Sequence, residues 1–138
     1  MKRSLSALAC GLALVCAGCG GNNKAAERKT ACTNATAAQQ QYLLAGKRVG
    51  LNFLKVANDR RMVAAAGQFR VRVEQLQRLS SGSDKTKLGE LVSILAQHES
   101  LFQALAVHNL PAAHKFAEGL EPALENTQAD FTRICKKA

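Results

Sequence analysis

The chain has no tryptophan, one tyrosine and five phenylalanines, so aromatics make up only 4% of its 138 residues. A surface that stacks nucleobases needs more aromatic side chains than this, so nucleic acid is not the expected partner. Prolines are two, Pro111 and Pro122, and both fall late, which leaves long stretches free to be helical. Acidic residues are scarce, ten against nineteen Lys and Arg, for a net charge of +9. No unit recurs at the period of about 20–50 residues that a solenoid requires. The three histidines, His98, His108 and His114, stand ten and six apart. That is not the spacing of four that stacks two metal ligands on one helix face. There is no Glu-x-x-His pair for a di-iron bundle and no Cys-x-x-Cys-His for haem attachment. Ser80, Ser81 and Ser83 sit in a turn composition and need no nucleophilic chemistry to explain them. The expectation is a non-enzymatic chain with no cofactor and no metal.

What is present begins with a leader. Met1-Lys2-Arg3 is basic, and thirteen uncharged, mostly apolar residues follow from Leu5 to Ala17. A helix of that length falls short of the roughly 20 residues that span a bilayer core, and suits the apolar centre of a secretory signal. The run closes on Val15-Cys16-Ala17-Gly18-Cys19-Gly20-Gly21. Small residues directly before a cysteine resemble the lipobox of bacterial lipoproteins, although Cys16 stands where that pattern usually has leucine. The resemblance implies a signal peptide over 1–18, cleavage before Cys19, a lipid on the Cys19 sulfur and residence in the cell envelope. Gly20 after that cysteine is similar to lipoproteins sorted to the outer membrane where the host has one. The alternative is an ordinary signal cut after Ala17. Gly20-Gly21-Asn22-Asn23-Lys24 suits a flexible tether, expected over 19–28, ahead of a folded domain over 29–138.

Removing residues 1–18 leaves 120 of the 138 residues and lowers the charge from +9 to +7. That length fits one small domain, which gains from a covalent staple. Of the five cysteines, Cys10 and Cys16 leave with the signal and Cys19 is assigned to lipid. Cys32 and Cys135 remain, one at each end of the folded part. In an oxidising compartment an even pair is expected to form a disulfide, the alternative being two free thiols.

Residues 24–87 carry thirteen Lys and Arg against four Asp and Glu, whereas residues 88–138 carry four against six. For an exported chain the basic half points to anionic lipid headgroups or acidic envelope polymers and proteins.

Alanine, leucine, glutamine, lysine and glutamate dominate the mature chain and favour helix. Apolar residues stepping by three and four predict four helices. Helix A, about Thr30 to Ala57, presents Ala35, Ala38, Tyr42, Ala45, Val49, Phe53 and Val56. Asn58 or Asp59 is expected to cap helix B, which runs to about Leu79 with Met62, Ala66, Phe69, Val73 and Leu76 inward. After a turn over 80–84, helix C presents Leu88, Leu91, Leu95, His98, Phe102 and Leu105. Helix D starts at Pro111, is kinked by Gly119 and Pro122, and presents Phe116, Leu120, Leu124, Thr127, Phe131 and Ile134. The expected fold is an all-α antiparallel four-helix up-down bundle. That topology puts Cys32 and Cys135 at one end. Fusing A and B into one long helix gives the three-helix alternative and puts them at opposite ends.

One feature exceeds what a bundle needs. Leu44 and Leu51 lie nearly opposite the Tyr42–Phe53 stripe, with Lys47, Arg48 and Lys55 interleaved. A helix apolar on two faces is buried on both or meets a partner. These five residues are the candidate seam for a partner or membrane surface, the alternative being a wide core stripe. The basic residues of helix B and the carboxylates Glu118, Glu121 and Glu125 read first as solvated faces. The remaining functional alternative is an envelope bundle holding a small apolar ligand, or haem between Met62 and a histidine.

Overall fold

Five helices make up the fold of the described residues, which are 20–51 and 55–138 in a computed structural model, with side chains described over 23–49 and 55–138. They are α1 (Gly20–Leu51), α2 (Val56–Arg78), α3 (Gly82–Ala106), α4 (Leu110–Ala117) and α5 (Leu120–Lys136). No strand occurs among the described residues. The leader, Cys19 included, lies outside them.

Helix α1 starts about ten residues before the expected Thr30. The stretch expected as tether is therefore helical from Gly20 onward. The reason is local: Lys24 to Lys29 are all good helix formers and no breaker separates them from Thr30. Arg28, within that stretch, already pairs with Asp84 of α3 at 2.7 Å.

The break between the first two helices also moves. Lys55 is extended, at φ −92° and ψ 106°, and α2 begins at Val56. Asn58 and Asp59 thus occupy the first turn of α2 rather than capping it. Both backbone amides donate to the Lys55 carbonyl, at 2.7 and 3.3 Å. An acidic residue there also suits the positive end of the helix dipole. Since α1 packs along α2, the two do not fuse into one long helix.

The inward stripes of α2 and α3 follow the sequence. Met62, Ala66, Phe69, Val73 and Leu76 are buried, as are Leu88, Leu91, Leu95 and Phe102. From α1 come Ala31, Ala35, Tyr42 and Val49, and from α5 come Phe131 and Ile134. The aromatics meet at the centre: Phe69 stands edge-on to Phe131 at 5.5 Å and tilted to Tyr42 at 5.7 Å. Elements far apart in sequence are held together by this one core.

The kink expected in helix D is a full break. Asn109 caps α4, its side chain accepting from the Ala112 amide at 3.2 Å, with Pro111 in the first turn. Glu118 then leaves the helical region and Gly119 adopts φ 68°, a left-handed conformation that glycine takes without a Cβ penalty. Pro122 falls in the first turn of α5, where its missing N–H would have no helical partner in any case. Proline inside a continuous helix would have broken a hydrogen bond; restarting the helix two residues earlier removes that conflict.

The Cys32 and Cys135 sulfurs are bonded, across a sequence separation of 103 and a Cα–Cα distance of 5.4 Å. Cys32 is buried and Cys135 half-buried. Away from this bond α1 and α5 touch little, so the disulfide is the main tie between the two ends of the chain. Interhelical ion pairs add Arg70 to Glu99, joining α2 to α3 at 3.1 Å, and Lys87 to Asp130, joining α3 to α5 at 2.9 Å. All are partly exposed, where such pairs contribute about 0–1 kcal/mol each.

Candidate functional site: the groove between α1 and α2

The outer side of the α1–α2 pair holds most of the candidate seam. Leu44 is 48% exposed and its neighbour Leu43 45% exposed, so neither is a core residue. Lys47, Arg48 and Lys55 are exposed too. The backbone of Leu51 is helical, but its side chain lies outside the described residues.

Leu44 and Arg48 flank a depression of about 230 Å³, completed by Gln41, Asn58, Arg61 and Gln68 around a floor of alanines. It runs on through Gln68 into a second depression, of about 470 Å³, bounded by Ala38, Gly67, Val71 and Arg72. Lys47 and Lys55 line neither. Of the four seam residues whose side chains are described, the structure brings together Leu44 and Arg48. It adds three from α2: Arg61 and Arg72, basic residues expected on a solvated face, and Val71, which the inward stripe does not include. Val71 was the available signal, a branched apolar residue off the inward stripe and 44% exposed. Among the described residues no carboxylate lines either depression. The amide of Asn58 donates to the Arg48 carbonyl at 3.4 Å and so ties the two helices at the groove's end.

The histidines are not brought together. His98 is half-buried on α3, where its Nδ1 and the Tyr42 hydroxyl share a hydrogen bond of 2.6 Å and Phe102 stands edge-on at 5.0 Å. Burial pushes the His98 imidazolium down to about 4, and the same burial pushes the Tyr42 phenol up. Both are therefore neutral near pH 7, and the pair is a satisfied polar contact within an aromatic cluster. His108 and His114 are exposed, His114 lying 3.7 Å from Glu118. Met62 is buried on α2 beneath Gly46. Among the described residues no group of three His, Cys, Asp or Glu side chains could hold a metal ion.

The remaining polar groups have structural partners. The Ser80 hydroxyl donates to the Leu76 carbonyl at 2.9 Å, closing the turn after α2. Arg70 reaches both Glu74 and Glu99, which raise its already high pKa. Asp130 accepts from Lys87 and Arg133, and these bonds hold its carboxyl below the usual range. Asp59 is buried; desolvation raises its pKa, and His108 partly opposes this. Glu118, Glu121 and Glu125 are exposed.

A separate hollow, of about 550 Å³, opens between α2, α3 and α4. Val63, Ala104, Ala106, Val107 and Phe116 make it mainly apolar, with Arg60, Ser100 and Gln103 at its edge. Val107 beside it is 72% exposed. Among the described residues no helix is long and apolar enough to cross a membrane.

No protein-family model matches this chain, and no curated protein and no solved structure matches it either.

Proposed function

We propose that the chain is an exported, lipid-anchored interaction module of the bacterial envelope, without catalytic activity. Cys19 carries the lipid, a four-helix up-down bundle follows, and the basic helices α1 and α2 meet a partner at the membrane. In that bundle α4 and α5 are the two halves of the fourth helix. The observation that carries the reading is the Val15–Gly21 stretch behind a basic, apolar leader, which resembles a lipobox. The Cys32–Cys135 bond supports export, because such bonds persist in oxidising compartments. The half-exposed Leu43 and Leu44 support a contact surface on α1. Outer-membrane attachment, in a host that has one, follows from Gly20 after the lipid cysteine.

Intact mass of the protein extracted from membranes tests this. The expected species starts at Cys19, carries acyl mass, and exposes the Cys32 and Cys135 thiols to labelling after reduction and not before. A species that starts at Gly18 without acyl mass sinks the anchor.

The hollow between α2, α3 and α4 favours a second reading, an envelope bundle that binds a small apolar ligand. Its volume is in the range of ligand pockets, and one cation, Arg60, stands at its rim. Mass analysis of molecules released from the purified protein, with its visible absorbance for haem, separates the two readings.

A further inference from the structure

The groove between α1 and α2 has apolar side chains interleaved with the neutral amides of Gln41 and Gln68, and a rim of one charge. Leu44 and Val71 are roughly half exposed along it, and Arg48, Arg61 and Arg72 stand at its edges. Among the described residues none of the three arginines belongs to an ion pair. Arg72 reaches only the neutral Gln75, at 3.1 Å. Elsewhere Arg28, Arg70 and Lys87 are used to tie one helix to another. The groove thus gathers cations that the fold itself leaves without carboxylates, beside apolar side chains that the core does not cover.

We infer that this groove is the docking site for an acidic amphipathic helix of a partner protein. The inference rests on the reading of the chain as an interaction module and names the partner's chemistry. Charge complementarity decides its sign: three free guanidinium groups around apolar surface call for carboxylates flanking apolar anchors. Shape decides that the occupant is a helix. Arg48 shares one end of the groove with Asn58 and Arg61, and Ala38 shares the other with Val71 and Arg72, so α1 and α2 run antiparallel along it. From Arg61 to Arg72 the groove is about 16 Å long, or three turns of a partner helix with anchors at i, i+3 or i+4, and i+7. A bilayer is flat on this scale. It would meet the two helix ridges and leave the hollow between them unfilled.

The test uses the full-length chain held in phosphatidylcholine nanodiscs. The probe is a labelled helical peptide of about 18 residues with leucines on one face and glutamates on both flanks. A counterpart carries lysine at every glutamate. The acidic peptide should bind, weaken as salt is raised, and lose about tenfold or more in affinity to R48E/R61E and several-fold to Leu44→Ser. The remote reversal R78E/K115E, of equal charge change, should leave binding within about twofold. Circular dichroism melts of each variant separate lost binding from lost fold. Equal binding of the lysine peptide, equal losses in both double variants, or absence of acidic-peptide binding would each overturn the assignment. So would Arg48- and Arg61-dependent binding to phosphatidylglycerol vesicles without peptide binding, which would make the surface a lipid contact. The two ideas fail separately. Absence of acyl mass removes the anchored module and leaves the groove result standing. An acylated chain that cross-links to an envelope protein through another face keeps the module and removes the groove.

Discussion

Opening the Cys32–Cys135 bond should cost this small domain a large part of its stability. The bond closes a loop of 103 residues, nearly the whole folded chain. In the chain-entropy picture a loop of that size restricts the unfolded state by about 4.7 kcal/mol at 25 °C. The native side should add little strain energy to recover, because the Cα–Cα distance of 5.4 Å lies in the ordinary range for disulfides. Few other contacts join α1 to α5, so nothing nearby replaces the tie once it is gone. A stability of about 5–15 kcal/mol is usual for whole domains, so the loss is severe. At roughly 4 °C per kcal/mol it lowers Tm by about 15–20 °C. The assay is urea unfolding of the oxidised chain and of a Cys32→Ser/Cys135→Ser variant, followed by circular dichroism. Besides the shifted midpoint, the variant should show a steeper m-value, since its unfolded state is freed from the cross-link and exposes more surface. A loss below about 1 kcal/mol with an unchanged m-value would refute the reasoning, because loop closure acts through the unfolded state.

The other expectations are smaller. Leu44→Ser should change stability by less than about 0.5 kcal/mol, as for exposed positions generally, whereas Leu91→Ala, fully buried, should cost about 2–5 kcal/mol; denaturant midpoints compare them. His98 gives up its proton on folding, because burial lowers its pKa from 6.5 to about 4. Its contribution is therefore complete above pH 6.5 and is lost as pH falls from there through 4, by about 3 kcal/mol at most. Asp130, with its lowered pKa, adds to this acid sensitivity below the normal carboxylate range, while Asp59, with its raised one, opposes it. His98→Gln should flatten the Tm profile between pH 6.5 and 4, and an unchanged slope would remove His98 as its source. Gly119→Ala should cost about 1–2 kcal/mol, read from its melt, because nothing crowds a Cβ there and only the left-handed backbone opposes it.

Much of the fold was legible from short-range pattern. Periodicity along α2 and α3 named their buried residues nearly one for one, because every third or fourth side chain of a helix must face the same way. It also put His98 on the inward face of the third helix, where it is half-buried. Boundaries were less legible. Whether the first helix runs on to Ala57 depends on where α2 can turn back to lay Met62 and Ala66 against α1, which is a long-range matter. Pro122 announced trouble in helix D, but a kink and a break satisfy the missing N–H equally well. The left-handed Gly119 decided for the break.

The candidate surface divides in the same way. That Leu44 faces away from the Tyr42 stripe was already legible in the order of residues, because a helical wheel needs no partner to be drawn. The same order made the pairing of Cys32 with Cys135 the expected bond, by elimination of the other cysteines and the compartment that the leader implies. Which cations stand beside Leu44 is set by how the helices pack. Arg48 shares its helix, but Arg61 and Arg72 come from α2, and their side of that helix has meaning only once α1 is laid against it. Lys47, next to Arg48 in sequence, falls outside the groove for the same reason, and so does Lys55. A groove belongs to two helices at once, and its lining is set by their packing rather than by either one's periodicity.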